Sequence, residues 1–397
     1  MTKTQKELAS ILGISRMTVS LALRDSPRIK KETKERVKRL AKELNYSPSD
    51  IGRSLVTGKT FTIGVYSVSF YQHFSSELTQ EINKRLQKKG YSALVLADDS
   101  YGKKEEEEIE TFIRKKVDGL IAIHGIPYKS KLRLKDAGIP YVSNQKSTLH
   151  TFGIEENYVI CDKYKGMSML MKYLTGLGYR KIAYLCNPPY EGPLESRFAA
   201  YKDSLLKHGL PFKEKWIIQG LGYYKDGYDG MKRLLALPEK PEAVVSMNDS
   251  AAMGGMRAIS EAEMKIPEDI AITGFNNAQE TAFLPVSLTT VDQKKEEIAE
   301  NLVEILLKKI NDQNDETAYR IMIDPELIIR ESCGGQIKNK IPDWGKERKN
   351  EGKKRWKEGV HADRIAGGDS HYSNSGGDAA TGAVTGKGAG ARGCMCK

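Results

Sequence analysis

Six residues in a short N-terminal stretch, residues 4–24, have the side chains and the spacing to contact the edges of DNA bases. They remain on the outer face of a predicted helix once Val19, Ala22 and Leu23 are assigned to its buried face. An arginine can form two hydrogen bonds with guanine, and a methionine can contact a thymine methyl group. The six residues are Arg16, Met17, Thr18, Ser20, Leu21 and Arg24. The pattern favours DNA binding over its alternative, a helical hairpin with a solvated basic face.

Two short helices joined by a tight turn position these residues. Thr4 is the predicted N-cap of the first helix, and Gly13 suits the left-handed conformation that ends a helix. The apolar face of this helix consists of Leu8, Ala9 and Leu12. Ser15 is the predicted cap of the second helix. This arrangement is the helix-turn-helix pattern, in which the start of the second helix enters the major groove.

A third helix is predicted from residue 31 to residue 44, and it ends at Asn45-Tyr46 before Pro48. Its apolar face consists of Val37, Leu40, Ala41 and Leu44. We expect this face to cover the first two helices, since one helix pair cannot form a core. Four basic residues lie near its start and are candidates for phosphate contacts, with a solvated charged face as the alternative. They are Arg28, Lys30, Lys31 and Lys34.

The distribution of charge agrees with a basic head on a nearly neutral body. The chain has 397 residues, which predicts two or three domains, and a formal charge of +11. Residues 1–60 contain 14 Lys and Arg against 6 Asp and Glu, and residues 340–397 contain 12 against 7. The remaining charge, over residues 61–339, is therefore −2. Such a head is expected of a protein that binds nucleic acid.

Cysteine usage and hydropathy predict a cytoplasmic protein. The five cysteines show no framework spacing, and 39% of the residues are hydrophobic, which is enough for packed cores. The polar N-terminus is unlike a signal peptide, and no run of about 18 apolar residues exists to span a membrane.

From residue 61 the chain alternates between strand-like and helix-like segments. The predicted strands are 61–66, 93–97, 119–123, 140–144, 181–186, 242–247 and 269–275. The predicted helices are 77–89, 103–115, 129–137, 163–177, 194–208, 225–236, 251–261 and 294–310. Apolar strands separated by helices predict parallel sheets covered on both faces. About seven strands favour two doubly wound lobes, divided between Asn144 and Lys181, with a ligand cleft at the carboxyl ends of the strands.

The remaining segments are short or polar. Residues 49–55 are predicted to form a helix only against a partner, because a helix this short is marginal alone. Residues 334–397 are a charge run followed by Gly, Ala and Ser, and they are predicted to be disordered and resemble an appended extension. Cys394 and Cys396 are weak evidence for a metal site, and no metal is expected.

The head and body together resemble the LacI/GalR family of bacterial transcription regulators. In the head the similar segments are ISRMTVSLALR, KKETKERVKRLAKELNYSP and SDIGRSLVTGKT. In the body they are GYRKIAYL, ESRFAAY, PEAVVSMNDSAAMGGMRAI and IPEDIAITGFNNAQETAFLPVSLTTVDQ, which also resemble periplasmic sugar-binding proteins. The resemblance covers about residues 4–333. It implies an α/β protein with a helix-turn-helix head (1–48), a hinge helix and linker (49–60), a two-lobed periplasmic-binding-protein-like body (61–333) and a tail (334–397).

The resemblance implies roles for the residues of the head and hinge. Base readers would be Arg16, Met17 and Leu21, and backbone contacts would be Ser20, Arg24, Arg28 and Thr33. Leu55 would insert into the minor groove when the hinge helix folds on DNA. Gly52 stands where alanine is usual in the family, which is expected to destabilise that helix by roughly 1 kcal/mol. The predicted DNA-binding set is Thr4, Ser15, Arg16, Met17, Thr18, Ser20, Leu21, Arg24, Arg28, Lys30, Thr33, Tyr46, Arg53 and Leu55.

The resemblance also implies a small-molecule site. Arg197, Asn248 and Asn276 fall at effector positions of the family, with Gln293 a weaker candidate; further candidates at strand ends are Ser67, Phe70, Tyr71 and Asn144. Arginine and amide side chains suit the paired hydroxyls of a sugar. Asn276 stands where aspartate is common in the family, which removes a charged acceptor from the expected site.

The expected function is a ligand-responsive repressor that binds a pseudo-palindromic operator as a homodimer. The alternative is a sugar-type binding protein without sequence-specific DNA reading. An enzyme is not expected, because no phosphate-binding glycine loop, nucleophile elbow or ligand cluster is present in the sequence. We expect no cofactor, no membrane partner, and a location in the bacterial cytoplasm with the nucleoid. The sequence does not distinguish a dimer from a tetramer.

Overall fold

The computed structural model describes residues 4–23, 25–46, 54, 57–67, 73–97, 104–145, 156–187, 196–312 and 314–335. Several predictions therefore lie outside the described residues. They concern Arg24, most of the hinge helix with Gly52, Arg53 and Leu55, the cleft candidates Phe70 and Tyr71, and the tail beyond residue 335.

The head contains three helices, α1 (Gln5–Leu12), α2 (Arg16–Leu23) and α3 (Lys31–Glu43). All three contribute to one small core, formed by Leu8, Ala9, Val19, Ala22, Val37 and Ala41. The predicted caps are confirmed: Thr4 Oγ1 accepts a hydrogen bond from the Glu7 amide at 3.3 Å, and Ser15 Oγ accepts one from the Thr18 amide at 3.0 Å. Gly13 ends α1 with φ 64°. Local sequence signals are sufficient to define this unit.

The first lobe of the body is built on a six-stranded parallel sheet. Its strands are β1 (Thr62–Ser67), β2 (Ser92–Ala97), β3 (Gly119–Ala122), β4 (Tyr141–Ser143), β5 (Tyr158–Cys161) and β11 (Arg320–Ile323), in the order β11-β5-β4-β3-β1-β2. Its helices are α4 (His73–Lys88), α5 (Glu105–Arg114), α6 (Tyr128–Asp136) and α11 (Lys295–Asn311). Apolar side chains of α4 and α11 pack on one face of the sheet, and those of α5 and α6 pack on the other.

The second lobe is built on a four-stranded parallel sheet. Its strands are β6 (Ile182–Asn187), β7 (Ile217–Gln219), β8 (Ala243–Ser246) and β9 (Ala271–Thr273), in the order β7-β6-β8-β9. Its helices are α7 (Lys163–Gly176), α8 (Ser196–Lys207), α9 (Tyr224–Leu235) and α10 (Asp249–Glu261). An antiparallel pair, β10 (Thr290–Asp292) with β12 (Glu326–Ile328), lies beside it.

The chain crosses between the lobes at three points in the described residues: between β5 and α7, between β10 and α11, and between β11 and β12. The loops at the carboxyl ends of the two sheets contact each other. His73, which begins α4, hydrogen-bonds Tyr224, which begins α9. The Gln279 amide of the second lobe donates to Glu77 Oε1 at 3.2 Å. The expected architecture of two doubly wound lobes with facing strand ends is therefore observed.

Two details of the expectation were wrong. All seven predicted strands form, but β5, β7, β10, β11 and β12 were not predicted, so the described residues contain twelve strands. These strands have three or four residues, and four of them (β7, β10, β11 and β12) lie at a sheet edge or in the separate pair, where apolar runs are not required. The β10–β12 pair is antiparallel, which departs from the predicted parallel pairing. No described helix is both long and apolar enough to cross a membrane.

Candidate DNA-binding surface and ligand cleft

The start of α2 is the part of the head that presents side chains for base contacts. Arg16 is exposed, and Met17 has 65% of its surface exposed although it is apolar. Val19 and Ala22 are buried in the head core, so the two faces of α2 divide as predicted. Thr18, Ser20 and Leu21 are half-buried at the border between the faces. The geometry therefore leaves Arg16 and Met17 as the most accessible candidates.

Several of the residues predicted to contact DNA also make contacts within the head. Thr4 and Ser15 hold the first turns of their helices, and Tyr46 packs against the head core. Lys34 donates to the Asp25 carbonyl at 3.0 Å, and Lys38 binds the Asp25 carboxylate at 2.6 Å. The Lys38 hydrogen bond lowers the pKa of Asp25 below its usual value.

The remaining predicted contacts lie around the start of α3. Arg28 and Lys30 are exposed, while Thr33 is half-buried. Exposed cations just before α3 are candidates for phosphate contacts that position the head without reading sequence. At the end of the hinge segment, the Gly58 amide donates to the Ser54 carbonyl at 2.8 Å, as in one turn of helix.

In the second lobe, Asn248 and Arg197 lie at the carboxyl end of β8. Asn248 is the N-cap of α10, and its Oδ1 accepts from the Ala251 amide at 2.9 Å, so its Nδ2 faces away from the helix. A Cβ at Gly222 would lie 2.5 Å from that Nδ2, so a glycine is required there. Arg197 donates to the Met247 carbonyl at 2.6 Å, and its guanidinium lies 5.4 Å from the Phe275 ring centroid.

Asn276 lies in a loop that several side chains hold in place. Its φ of 112° is unusual for any residue other than glycine. Gln293 Nε2 donates to its Oδ1 at 2.5 Å. Lys295 Nζ donates to the carbonyls of Asn276 at 2.7 Å and Asn277 at 3.0 Å. Lys295 was not predicted from the sequence, and it fixes the loop from the first turn of α11.

Asp249 is a second residue that sequence reasoning missed. Its carboxylate accepts from the Ala278 amide at 2.7 Å and from Thr290 Oγ1 at 2.6 Å. Burial raises its pKa to about 7, although both hydrogen bonds favour the charged form. Arg330 holds the neighbouring Asn277 Oδ1 at 2.8 Å. In the sequence, Asp249 was marked only by its place beside Asn248 at the start of a predicted helix. Its hydrogen-bond partners, Ala278 and Thr290, are distant along the chain and gave no local signal.

In the first lobe, Ser67 and Asn144 lie at the ends of β1 and β4 and are buried. Asn144 Nδ2 donates to the Val159 carbonyl at 2.6 Å, which leaves its Oδ1 for other contacts. His124 follows β3, and its buried Nδ1 has no hydrogen-bond partner among the described residues. Burial beside Lys163 lowers the pKa of His124 to about 4, so its ring is neutral.

A polar cluster joins the lobes beside the cleft. His73 Nδ1 lies 3.3 Å from Glu280 Oε2, and Lys295 Nζ lies 3.2 Å from Glu77 Oε2. His73, Glu77 and Glu280 are the one group in the described residues whose ligand atoms lie close enough together for a metal ion, within 4.8 Å. The ammonium of Lys295 supplies a positive charge to Glu77. The cluster therefore forms a charged contact between the lobes.

These features define a class of protein: a small-molecule-binding body of two lobes attached to a helix-turn-helix head that binds DNA. Residues 4–49 match the family of bacterial regulatory proteins of the lacI type, and residues 171–333 match the periplasmic binding protein-like domain. The chain belongs to the LacI family of bacterial transcription regulators.

Relatives support the same assignment over most of the chain. The chain is 29% identical over 338 residues to the HTH-type transcriptional repressor PurR of Pasteurella multocida, which covers 84% of this chain and 99% of the relative. It shares the fold of a lac repressor dimer bound to operator and the anti-inducer ONPF, with 21% identity, a TM-score of 0.71 and coverage of 84% and 99%. It also shares the fold of the regulator CelR in complex with cellobiose, with 24% identity, a TM-score of 0.62 and coverage of 83% and 99%.

Proposed function

We propose that this protein is a homodimeric transcriptional repressor whose affinity for a pseudo-palindromic operator is controlled by a small sugar-like molecule bound between the lobes. It acts in the bacterial cytoplasm and catalyses no reaction. Two heads in a dimer would contact two half-sites about one helical turn apart. We propose that the DNA-binding and ligand-binding residues predicted from the sequence perform these two roles.

The exposed start of α2 carries the proposal for DNA reading. Arg16 and Met17 project from a helix whose opposite face is buried and whose start is capped by Ser15. Such a helix is held rigidly, so its side chains can approach bases without a large loss of entropy. PurR is named a repressor, and the lac repressor structure contains operator.

The chemistry of the cleft supports a ligand with several hydroxyl groups. Arg197 and Asn248 Nδ2 offer donors from the second lobe, and Asn144 Oδ1 offers an acceptor from the first. Asn276 offers a neutral amide in place of a carboxylate. Hydroxyl groups both donate and accept, so they match this mixed set. The CelR structure contains cellobiose, which supports a sugar as the ligand class.

The test is selection of duplexes from a random pool by the full chain, repeated with a panel of neutral sugars, sugar acids and sugar phosphates. We expect an enriched palindrome whose binding changes with one class of sugar. Arg197→Met serves as the matched variant, because it removes the guanidinium donors from the cleft and leaves the head untouched. It should select the same palindrome and lose the response to the sugar.

Two results would contradict parts of the proposal. A palindrome indifferent to all the sugars would leave DNA reading in place and reject the ligand class, with Asn276 as the first residue to question. No enriched duplex would reject the repressor and favour a binding protein without sequence-specific DNA reading.

A further inference from the structure

The segment that leads from the head into the body makes a strained turn where it reaches the first strand. Gly58 has φ 71° and Phe61 has φ 53°. A glycine adopts this conformation readily, but a bulky aromatic residue does so only when its surroundings hold it. Phe61 also packs near Tyr91, with ring centroids 5.7 Å apart. The body must therefore supply contacts that keep residue 61 in the left-handed region.

The Ser92 amide donates to the Phe61 carbonyl at 2.8 Å, and one carboxylate accepts from the two amides of the turn. Asp118 Oδ1 accepts from the Thr60 amide at 2.7 Å and from Thr60 Oγ1 at 3.0 Å, and its Oδ2 accepts from the Phe61 amide at 2.8 Å. The hydroxyl of Thr60 also lies 2.9 Å from the Lys116 carbonyl. Hydrogen bonds to a charged acceptor are stronger than neutral ones. We call this set of contacts, Asp118 with Thr60 and Phe61, the linker clamp.

The clamp is adjacent to the helix that holds the effector loop. Gly119, next to Asp118, packs so closely on α11 that a Cβ there would lie 2.9 Å from side-chain atoms of Leu306 and Ile310. Asn311, the last residue of α11, accepts a hydrogen bond from Lys59 at 2.9 Å. At the other end of α11, Lys295 binds the carbonyls of the Asn276 loop. A helix of 17 residues, about 25 Å long, therefore spans from the cleft to the linker.

We propose that Asp118 is a positioning residue for operator binding: it holds the strained turn at Phe61 and so fixes the direction in which the linker leaves the body. This inference rests on the proposed function for its consequence on DNA affinity. If a ligand in the cleft shifts α11, the clamp and the linker are expected to shift with that helix. Without the carboxylate, the Thr60 and Phe61 amides lose their acceptors and the turn relaxes. The hydrogen bonds from Lys59 to Asn311 and from Thr60 Oγ1 to the Lys116 carbonyl remain, but they do not hold the amides of the turn.

The first test is hydrogen exchange of the full chain, measured at the clamped amides. Asp118→Ala removes both acceptors, so the Thr60 and Phe61 amides should exchange at least about tenfold faster, while amides within β3 stay protected. Asp118→Asn should give an intermediate rate, because it keeps one acceptor oxygen for two backbone donors. Asp136→Ala is the matched control, since it removes an exposed carboxylate from the end of α6 in the same lobe. Unchanged exchange in Asp118→Ala would overturn the proposal.

The second test is fluorescence anisotropy with the duplex selected by the wild-type chain and with a scrambled duplex of equal length. Asp118→Ala should weaken binding to the selected duplex by about tenfold or more and binding to the scrambled duplex by about twofold at most. The asymmetry is expected because α2 and the basic surface of the head are unchanged. Equal losses on both duplexes, or no loss, would overturn the proposal.

A milder variant keeps the second test decisive if Asp118→Ala does not fold. Thr60→Val keeps the shape of the side chain and removes only the hydroxyl contacts, so it should reduce affinity for the selected duplex in the same direction and by less. An unchanged affinity in a folded Thr60→Val chain would count against the clamp. If the wild-type chain selects no duplex, the proposed function fails, and the exchange measurement alone decides whether Asp118 holds the linker.

Discussion

Substitution of Gly254 by alanine is expected to destabilise the second lobe strongly. Gly254 lies in α10 where that helix crosses α9, and a Cβ there would lie 1.9 Å from the Tyr224 carbonyl oxygen and 2.9 Å from the Tyr228 nitrogen. The reciprocal position is Gly227 of α9, where a Cβ would lie 2.0 Å from the Ala251 carbonyl oxygen. The obstructing atoms belong to backbones, so a side-chain rotation cannot relieve the clash, and the helices must separate.

The magnitude follows from the shift required. Moving the helices apart by more than 1 Å disrupts packing along both. Overpacking of this kind lowers the free energy of unfolding by about 3 kcal/mol. For a lobe of this size that loss corresponds to a fall in Tm of roughly 10 °C. The separation would also displace Tyr224 from His73 and the Asn248 cap from the cleft.

The assay is thermal and urea unfolding of Gly254→Ala beside Gly176→Ala. Gly176 lies at the end of α7 in the same lobe, and a Cβ there would meet nothing within 4 Å. We expect Gly176→Ala to be neutral or to gain up to about 1 kcal/mol, because alanine is the better helix former. A Gly254→Ala chain as stable as the wild type would show that α9 and α10 do not require a glycine at their crossing.

Three further predictions concern DNA reading, ligand choice and pH. Arg16→Ala should relax preference at one base pair per half-site, at a cost of about 1–3 kcal/mol, while Lys30→Ala should weaken binding to all sequences alike; competition with base-substituted duplexes separates the two. Asn276→Asp adds a charged acceptor, so calorimetry should show affinity for a neutral sugar rising by about tenfold, and a fall would contradict the assignment of the cleft. Burial raises the pKa of Asp249 to about 7, so the folded state favours its protonated form. Its contribution to stability is complete below about pH 4 and is lost as the pH rises to about 7, a loss of roughly 2–3 kcal/mol between pH 5 and 8 in urea unfolding that Asp249→Asn should remove.

The head was predicted from the sequence almost completely, because its determinants are local. Thr4, Gly13 and Ser15 specify the helix ends by short-range hydrogen bonds or backbone conformation, and apolar spacing specifies the buried faces. The two-lobed body was predicted for a similar reason, since long apolar strands alternate with helices. The short strands β5 and β11 were missed because their pairing joins segments about 160 residues apart, which no local pattern reveals.

The cleft was predicted less fully. The resemblance supplied Arg197, Asn248 and Asn276 as candidates, but it did not indicate what holds them. Lys295, Asp249 and Arg330 act through partners that are distant in the sequence, or through backbone atoms that carry no sequence signal. The linker clamp was missed for the same reason, because Asp118 and Thr60 are 58 residues apart.

The central claim is that a ligand in the cleft and DNA at the head influence each other's binding. The most direct measurement is titration calorimetry of the full chain with the selected duplex and with the sugar that alters its binding, each in the absence and presence of the other. We expect the sugar to change the affinity for the duplex by the same factor by which the duplex changes the affinity for the sugar, since the coupling free energy is shared. A sugar that binds the chain and leaves the affinity for the duplex unchanged would show that the cleft does not control DNA binding.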